Sequence, residues 1–147
     1  MNATEIIYAV RTAAGLCVVT EVDGAVVTAS LVADEAMAEG LTIYDDFPTL
    51  AVRPAGTPFQ QNVWRHLCHV SSGERITYGE LARRCGCPTA VRAVATAVGR
   101  NPIAVLIPCH RIVPATGGIG NYFYGSARKR QLLEAERAGR TTCTAEP

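Results

Sequence analysis

Residues 101–113 read NPIAVLIPCHRIV. Ile103 to Ile107 is an unbroken apolar run, Pro108 ends it, and Cys109, His110 and Arg111 follow at once. A short aliphatic run between prolines suits a fully buried strand or extended segment. Such a segment can carry a reactive group to the floor of a pocket. Positive charge favours a thiolate, so Cys109 beside His110 and Arg111 is a candidate low-pKa thiol. The plainer reading is a buried cysteine at a strand end, with a surface histidine and arginine after it. The flanking sequence separates the two.

Upstream, three helices are expected. Thr57 is a good N-cap and Pro58 fits the first helical position. The helix runs from Phe59 to about Val70, with Phe59, Val63, Trp64 and Leu67 on one face. After a loop at Ser71 to Glu74, Thr77 caps a second helix, Tyr78 to about Arg84, with Glu80 placed for a capping box. Gly86 to Pro88 turns the chain. Thr89 caps a third helix, Ala90 to about Val98, which Gly99 stops. Helix, short glycine turn, helix is the helix-turn-helix pattern. The third helix carries one charge, Arg92. Val91, Val94 and Val98 form an apolar face, and Ala90, Ala93 and Ala97 a stripe of small side chains. A major-groove reader presents Arg, Asn or Gln to base edges. This helix offers almost none, so sequence-specific readout is not expected. Small side chains permit close approach to a minor groove that one arginine can enter.

Downstream, PATGGIG at 114–120 is a glycine-rich turn without the Lys-Ser/Thr ending of a phosphate loop. Asn121 to Gly125 is an aromatic patch. Ser126 caps a last helix, Ala127 to about Ala138, anchored by Leu132 and Leu133 and ended by Gly139. Its basic run Arg128, Lys129 and Arg130 either steers a polyanion or is a solvated helix face. Residues 140–147 are expected as a disordered tail.

The N-terminal part alternates like strands: Ile6 to Arg11, Leu16 to Glu21 and Ala25 to Leu31, with Gly15 and Asp23-Gly24 as turns. Asp34 to Glu39 reads as a short helix ended by Gly40. Residues 41–56 look irregular, and a boundary is placed near 53–57. The 147 residues are 48% hydrophobic and 18% charged, enough for one domain, or one with a small appendage. No apolar run has the length of a membrane span, and MNATEIIYAV lacks a signal-peptide pattern. The expected home is a reducing cytoplasm with its nucleoid, or a nucleus in a eukaryote. The six cysteines lack zinc-finger spacing, so no metal and no disulfide scaffold is expected. Cys85-Gly86-Cys87 is either two thiols around a turn glycine or a weak redox signal. Residues 1–56 carry a net charge of −6 and residues 57–147 one of +7. That asymmetry suggests a polyanion partner for the basic part. Nearly all the basic residues are Arg, which suits phosphate contacts or reflects a GC-rich genome.

Together PCHRIV at 108–113, Asn101-Pro102, FQQNVW at 59–64, Ile76-Thr77-Tyr78, VRAVATAV at 91–98, and Gly120-Asn121-Tyr122 through Lys129 to Leu132, Leu133 and Glu136 resemble the O6-alkylguanine-DNA alkyltransferase family. The likeness spans roughly residues 57 to 137, in the same order. It implies an α+β fold. Residues 1–56 would be a small β-rich, reduced ribonuclease-H-like domain. Residues 57–147 would be a helical winged-helix or helix-turn-helix DNA-binding domain. It implies a reaction without cofactor: the Cys109 thiolate displaces an alkyl group from guanine O6, and also from thymine O4, and stays alkylated, so each molecule acts once.

By resemblance His110 is the general base, held by Glu136. Adjacent side chains of a strand point to opposite faces, so a turn or a bridging water must link Cys109 to His110. Asn101 is implied as a hinge, and read alone it is a C-cap beside Gly99. Tyr78 is implied to push on the target phosphate and donate to the guanine leaving group. Arg92 would fill the gap left by the flipped nucleotide, with Ala90 and Ala93 against the DNA. Ile112 and Tyr122 are implied pocket residues. The partner is double-stranded DNA carrying O6-alkylguanine, met by a monomer, with no membrane.

The N-terminal part is short for this family. It holds Cys17 and no histidine where some members bind zinc, and no Cys-rich module for phosphotriester sensing is seen. Phe123-Tyr124 alters the pocket rim and is expected to restrict bulky alkyl groups. Two other functions remain open: a non-catalytic alkyltransferase-like damage binder, whose relatives usually replace the cysteine, and a cysteine hydrolase, which gives Arg92 no role.

Overall fold

The computed structural model describes residues 3–140 and 143–146. Three antiparallel strands open the chain: β1 (Glu5–Thr12), β2 (Gly15–Val22) and β3 (Ala25–Leu31), close to the ends the alternation predicts. The second hairpin turns at Asp23-Gly24 with φ of 50° and 84°. Positive φ at both turn residues matches the twist of paired strands, and Gly24 adopts it without a Cβ clash. Asp34 caps a 3-10 turn, Glu35–Ala38, where a short helix is expected. A strand the alternation cannot reveal, β4 (Ile43–Tyr44), then pairs in parallel with β1, giving the order β3-β2-β1-β4.

The helices are α1 (Pro58–Leu67), α2 (Tyr78–Arg84), α3 (Val91–Gly99) and α4 (Ser126–Arg137). Thr57 and Gln60 form a full capping box on α1. Thr77 accepts from the Glu80 amide, but the Glu80 carboxylate turns to Arg83 and Arg84 instead of back to the cap. Thr89 does not cap α3; Ala90 is its N-cap, with no side-chain bond. Phe59, expected on the apolar face, is exposed, whereas Val63, Trp64 and Leu67 are buried. Trp64 Nε1 donates to the Ala97 carbonyl at 2.8 Å and ties α1 to α3. Ala97 therefore joins Val94 and Val98 in the core, leaving Ala90 and Ala93 of the expected small-residue stripe.

Ile103 to Ile107 are buried as expected, but they are not a strand. Leu106 N–H donates to Ala104 O at 2.7 Å, and Cys109 N–H to Ile107 O at 2.8 Å. These close γ-turns about Val105, at φ 69°, and Pro108, at φ −83° and ψ 62°. Positive φ at a β-branched residue costs on the order of 1–3 kcal/mol and persists only when neighbours fix it. Here β3 does so: Ala29 donates to Pro102 O and accepts from Ala104 N–H. The Asn101 side chain spans the turn, accepting from Ile103 N–H at 2.9 Å and donating to Ile107 O at 2.8 Å. A 3-10 turn, Cys109–Arg111, follows. The chain then leaves as β6 (Ile112–Val113), in parallel with β5 (Ile76–Thr77) immediately before α2. One buried cluster runs from Val10 and Val26 through Leu106 to Trp64 and Val94.

The described part of the tail is docked, contrary to expectation. Ala145 N–H donates to Leu106 O at 2.8 Å, and Glu146 N–H to Leu50 O at 2.9 Å. The rest of that segment, residues 141, 142 and 147, lies outside the described residues. No helix among the described residues is long and apolar enough to cross a membrane.

Candidate active site

The β5–β6 pair brings the start of α2 beside the Cys109 turn, so Tyr78 and Cys109 line one open cavity of about 860 Å³. Asn101, Tyr122, Phe123 and Tyr124 border it, and Ala95, Val98 and Gly99 of α3 form another side. Ile112, expected in the pocket wall, is fully buried in β6 and is not among the residues that border the cavity. Arg92 and Ala93 are exposed on α3, and Ala90 is half-buried at its start.

Behind Cys109 lies a buried polar cluster. His110 Nε2 meets Glu136 Oε2 at 2.9 Å, and both side chains are sealed from solvent. Arg111 donates to the same carboxylate through Nε and Nη2, at 2.8 Å for the latter. Its Nη1 reaches Val70 O at 2.7 Å and Thr144 Oγ1 at 2.8 Å. The 3-10 turn makes this possible by sending His110 and Arg111 inward while Cys109 stays at the cavity. The plainer reading, a surface histidine and arginine after a buried cysteine, therefore fails: both are core residues.

Burial alone would raise the Glu136 carboxyl. Hydrogen bonds from His110 and Arg111, with their charges, outweigh it and hold the group down at about 2. An ionised Glu136 fixes the proton on His110 Nε2. Nδ1 is then a free acceptor, and it is buried without a protein partner. Burial lowers His110 against the pull of Glu136, so the imidazole is neutral. The Cys109 thiol is raised by burial, against a hydrogen bond from Asn101 and the charge of Lys129. This corrects the low-pKa expectation: burial outweighs the favourable groups nearby, and the Arg111 guanidinium is engaged by Glu136, Val70 and Thr144. Tyr78 and Tyr122 are both raised by burial first and by Cys109 second, so both phenols keep their protons at neutral pH. The Tyr122 hydroxyl is buried and without a protein partner.

Lys129 does not stand where its basic neighbours suggest. It is neither a steering group nor a solvated face: it is 1% exposed. Arg128 reaches back to Val32 O at 2.7 Å, and of the three only Arg130 stands in solvent. The signal was present, since Lys129, Leu132, Leu133 and Glu136 fall at i, i+3, i+4 and i+7, the spacing of one helix face.

The buried cluster makes acid destabilising. His110 is lowered in the fold, so unfolding lets it take up a proton below about pH 6.5. Glu136 does the same between its ordinary 4.5 and about 2. Both terms remove stability as pH falls. Thermal melts should be level from about pH 7 to 8 and decline beneath. In His110→Gln the decline should begin nearer pH 4.5. Melts without a slope between about pH 7 and 5 would contradict the buried neutral imidazole.

Fold and site define an α+β protein whose helical half presents a cysteine, backed by a His–Glu–Arg cluster, to an open cavity beside α2 and α3. The chain belongs to the 6-O-methylguanine DNA methyltransferase DNA-binding-domain family, whose model matches residues 58–138. It is 49% identical over 83 residues to the methylated-DNA–protein-cysteine methyltransferase of Mycobacterium tuberculosis, covering 56% of this chain and 50% of that protein. It is 52% identical over 81 residues to the regulatory protein ada of Salmonella typhimurium, covering 55% and 23%. These matches span about half, or less, of the length of those curated relatives. The solved structure of the M. tuberculosis protein in complex with DNA superposes with a TM-score of 0.75 at 29% identity, over 92% of this chain and 94% of that one.

Proposed function

We propose that this chain is a single-turnover DNA-repair alkyltransferase that moves an alkyl group from guanine O6, and also from thymine O4, to Cys109. The observation that carries this reading is one open cavity lined by Cys109, Tyr78 and Tyr122, with the buried His110–Glu136 pair adjoining Cys109 in the chain. Double-stranded DNA docks on the α2–α3 face. Ala90 and Ala93 allow close approach, and Arg92 enters the stack in place of the flipped base. Asn101 fixes the turn that holds the sulfur.

The thiol proton passes through a bridging water to His110 Nδ1, and Glu136 stabilises the imidazolium. The thiolate attacks the alkyl carbon, an S–C bond forms and the C–O6 bond breaks. The electron pair stays on the purine, whose N1 receives a proton from the Tyr78 hydroxyl. Solvent reprotonates Tyr78, and His110 returns its proton to solvent. The thioether has no leaving group to restore the thiol, so the protein is spent. No cofactor enters, and a monomer suffices. Residues 1–56 form a reduced ribonuclease-H-like domain and residues 57–147 the winged-helix domain. The likeness to a solved relative over 94% of its chain supports including the N-terminal part. The site of action is the compartment that holds the genome, a nucleoid-containing cytoplasm or a nucleus.

Intact-mass spectrometry after incubation with duplex DNA carrying O6-methylguanine tests this reading. One methyl per molecule, located on the Cys109 peptide, is the expected result. Repeated turnover, or methyl on another residue, would refute it.

A further inference from the structure

Lys129 is a buried ammonium for which the steps above have no use. Its Nζ donates to Ile112 O at 2.7 Å and to Asn121 O at 3.2 Å. Ile112 ends the Cys109 turn, and Asn121 borders the cavity. The charge thus sits between the nucleophile's turn and the loop over it. Gly120 packs against the same place, where a Cβ would meet Pro114 Cδ at 2.8 Å and Lys129 Nζ at 3.8 Å. Among the described residues no carboxylate pairs with Lys129. A buried cation without an anion is costly, and two carbonyl dipoles offset only part of that.

The titratable groups around Cys109 come from several elements. Tyr78 of α2 and Tyr122 and Tyr124 of the loop line the same cavity, and His110 follows Cys109 in the turn. The phenols keep their protons, and the imidazole is neutral. Lys129 is the cation among them. Burial brings it down to about 8, and a negative Cys109 raises it again. The same charge disfavours a proton on His110.

We infer that Lys129 is a positioning residue whose ammonium is the counter-charge of the Cys109 thiolate. This rests on Cys109 being the nucleophile proposed above. The sequence motif makes Arg111 the obvious candidate, but Arg111 is turned to Glu136, Val70 and Thr144.

The test uses the full chain. Carbamidomethylation of Cys109 by iodoacetamide is followed against pH on its own peptide, in the wild type and in Lys129→Gln. The variant should react roughly tenfold more slowly at pH 7 and recover at high pH, an inflection displaced upward by about one unit. A rate reduced equally at every pH would mean that Lys129 only tethers the loop, and would overturn the inference, as would no change.

A second measurement needs no substitution at the lysine. Lys129 is the chain's only lysine, so ¹³C-lysine labelling gives one ε-carbon signal. That signal should titrate at lower pH in Cys109→Ser, which lacks the thiolate, than in the wild type. Coincident titrations overturn the inference. Methyl transfer by the wild type, run alongside, separates the two ideas. Failed transfer with a displaced thiol profile refutes the repair reading and leaves the coupling, whereas normal transfer with an undisplaced profile refutes the role of Lys129 alone.

Discussion

Cys109→Ala should gain no methyl mass from O6-methylguanine duplex yet still retain that duplex in a gel-shift assay. The expected fall in transfer is at least about a thousandfold, the scale on which losing a nucleophile acts when no other group replaces it. Other thiols are poor substitutes. Cys17 is buried in the sheet and pushed up to about 12, and burial raises Cys68 to about 11. Cys85, at about 11, and Cys87 flank the turn between α2 and α3 and are not among the residues lining the cavity. Folding should be nearly unaffected, since the alanine keeps the Cβ and removes one atom from a half-buried position facing open space. Binding should persist because the docking face proposed on α2 and α3 does not include the sulfur. Mass spectrometry and the gel shift together decide the matter. Transfer that survives the substitution would move the nucleophile elsewhere. Loss of both transfer and binding in a folded variant would mean that the cysteine has a different part in recognition.

Much of this arrangement was legible in the sequence wherever the signal is local. Asp23-Gly24 marks its hairpin because few residues accept positive φ twice in succession. Thr57-Pro58 marks the start of α1 because cap and first-turn chemistry act within four residues. The Pro-Cys-His-Arg stretch marks the site because its residue types are themselves the chemistry. What stayed hidden depends on distant partners. β4 has two residues and exists only because β1 offers it an edge. The apolar run before Cys109 reads as a strand by composition. The fold turns it twice because β3, Asn101 and Ala145 capture its backbone groups. Such capture leaves no periodic trace. Nor does the docking of the tail, whose Thr144 finds Arg111 from 33 residues away. Lys129 was misread for the opposite reason. Its neighbours Arg128 and Arg130 suggested a surface run, while the helical spacing placed it with the leucines.

Glu136→Gln tests whether the buried cluster holds the site together. The substitution keeps shape and removes charge, which leaves Arg111 buried without its anion. Removing one partner of a buried pair typically costs 3–5 kcal/mol, so Tm should fall by about 10 °C in a chain of this size. Transfer should fall as well, because the amide that replaces Glu136 carries no charge to stabilise the His110 imidazolium. The stability loss and the catalytic loss have separable causes. In Arg111→Leu/Glu136→Leu the uncompensated charge is gone, and apolar replacement of a buried pair is often neutral. That double variant should regain most of the lost Tm, though not all, since Val70 O and Thr144 Oγ1 lose the guanidinium. Its transfer should stay low, because nothing anchors the imidazole. Calorimetry and single-turnover mass spectrometry read the two effects apart. A Glu136→Gln protein that melts within about 1 °C of the wild type would show the ion pair to be dispensable for folding. A double variant that recovers transfer along with Tm would show that His110 needs no carboxylate to take the Cys109 proton.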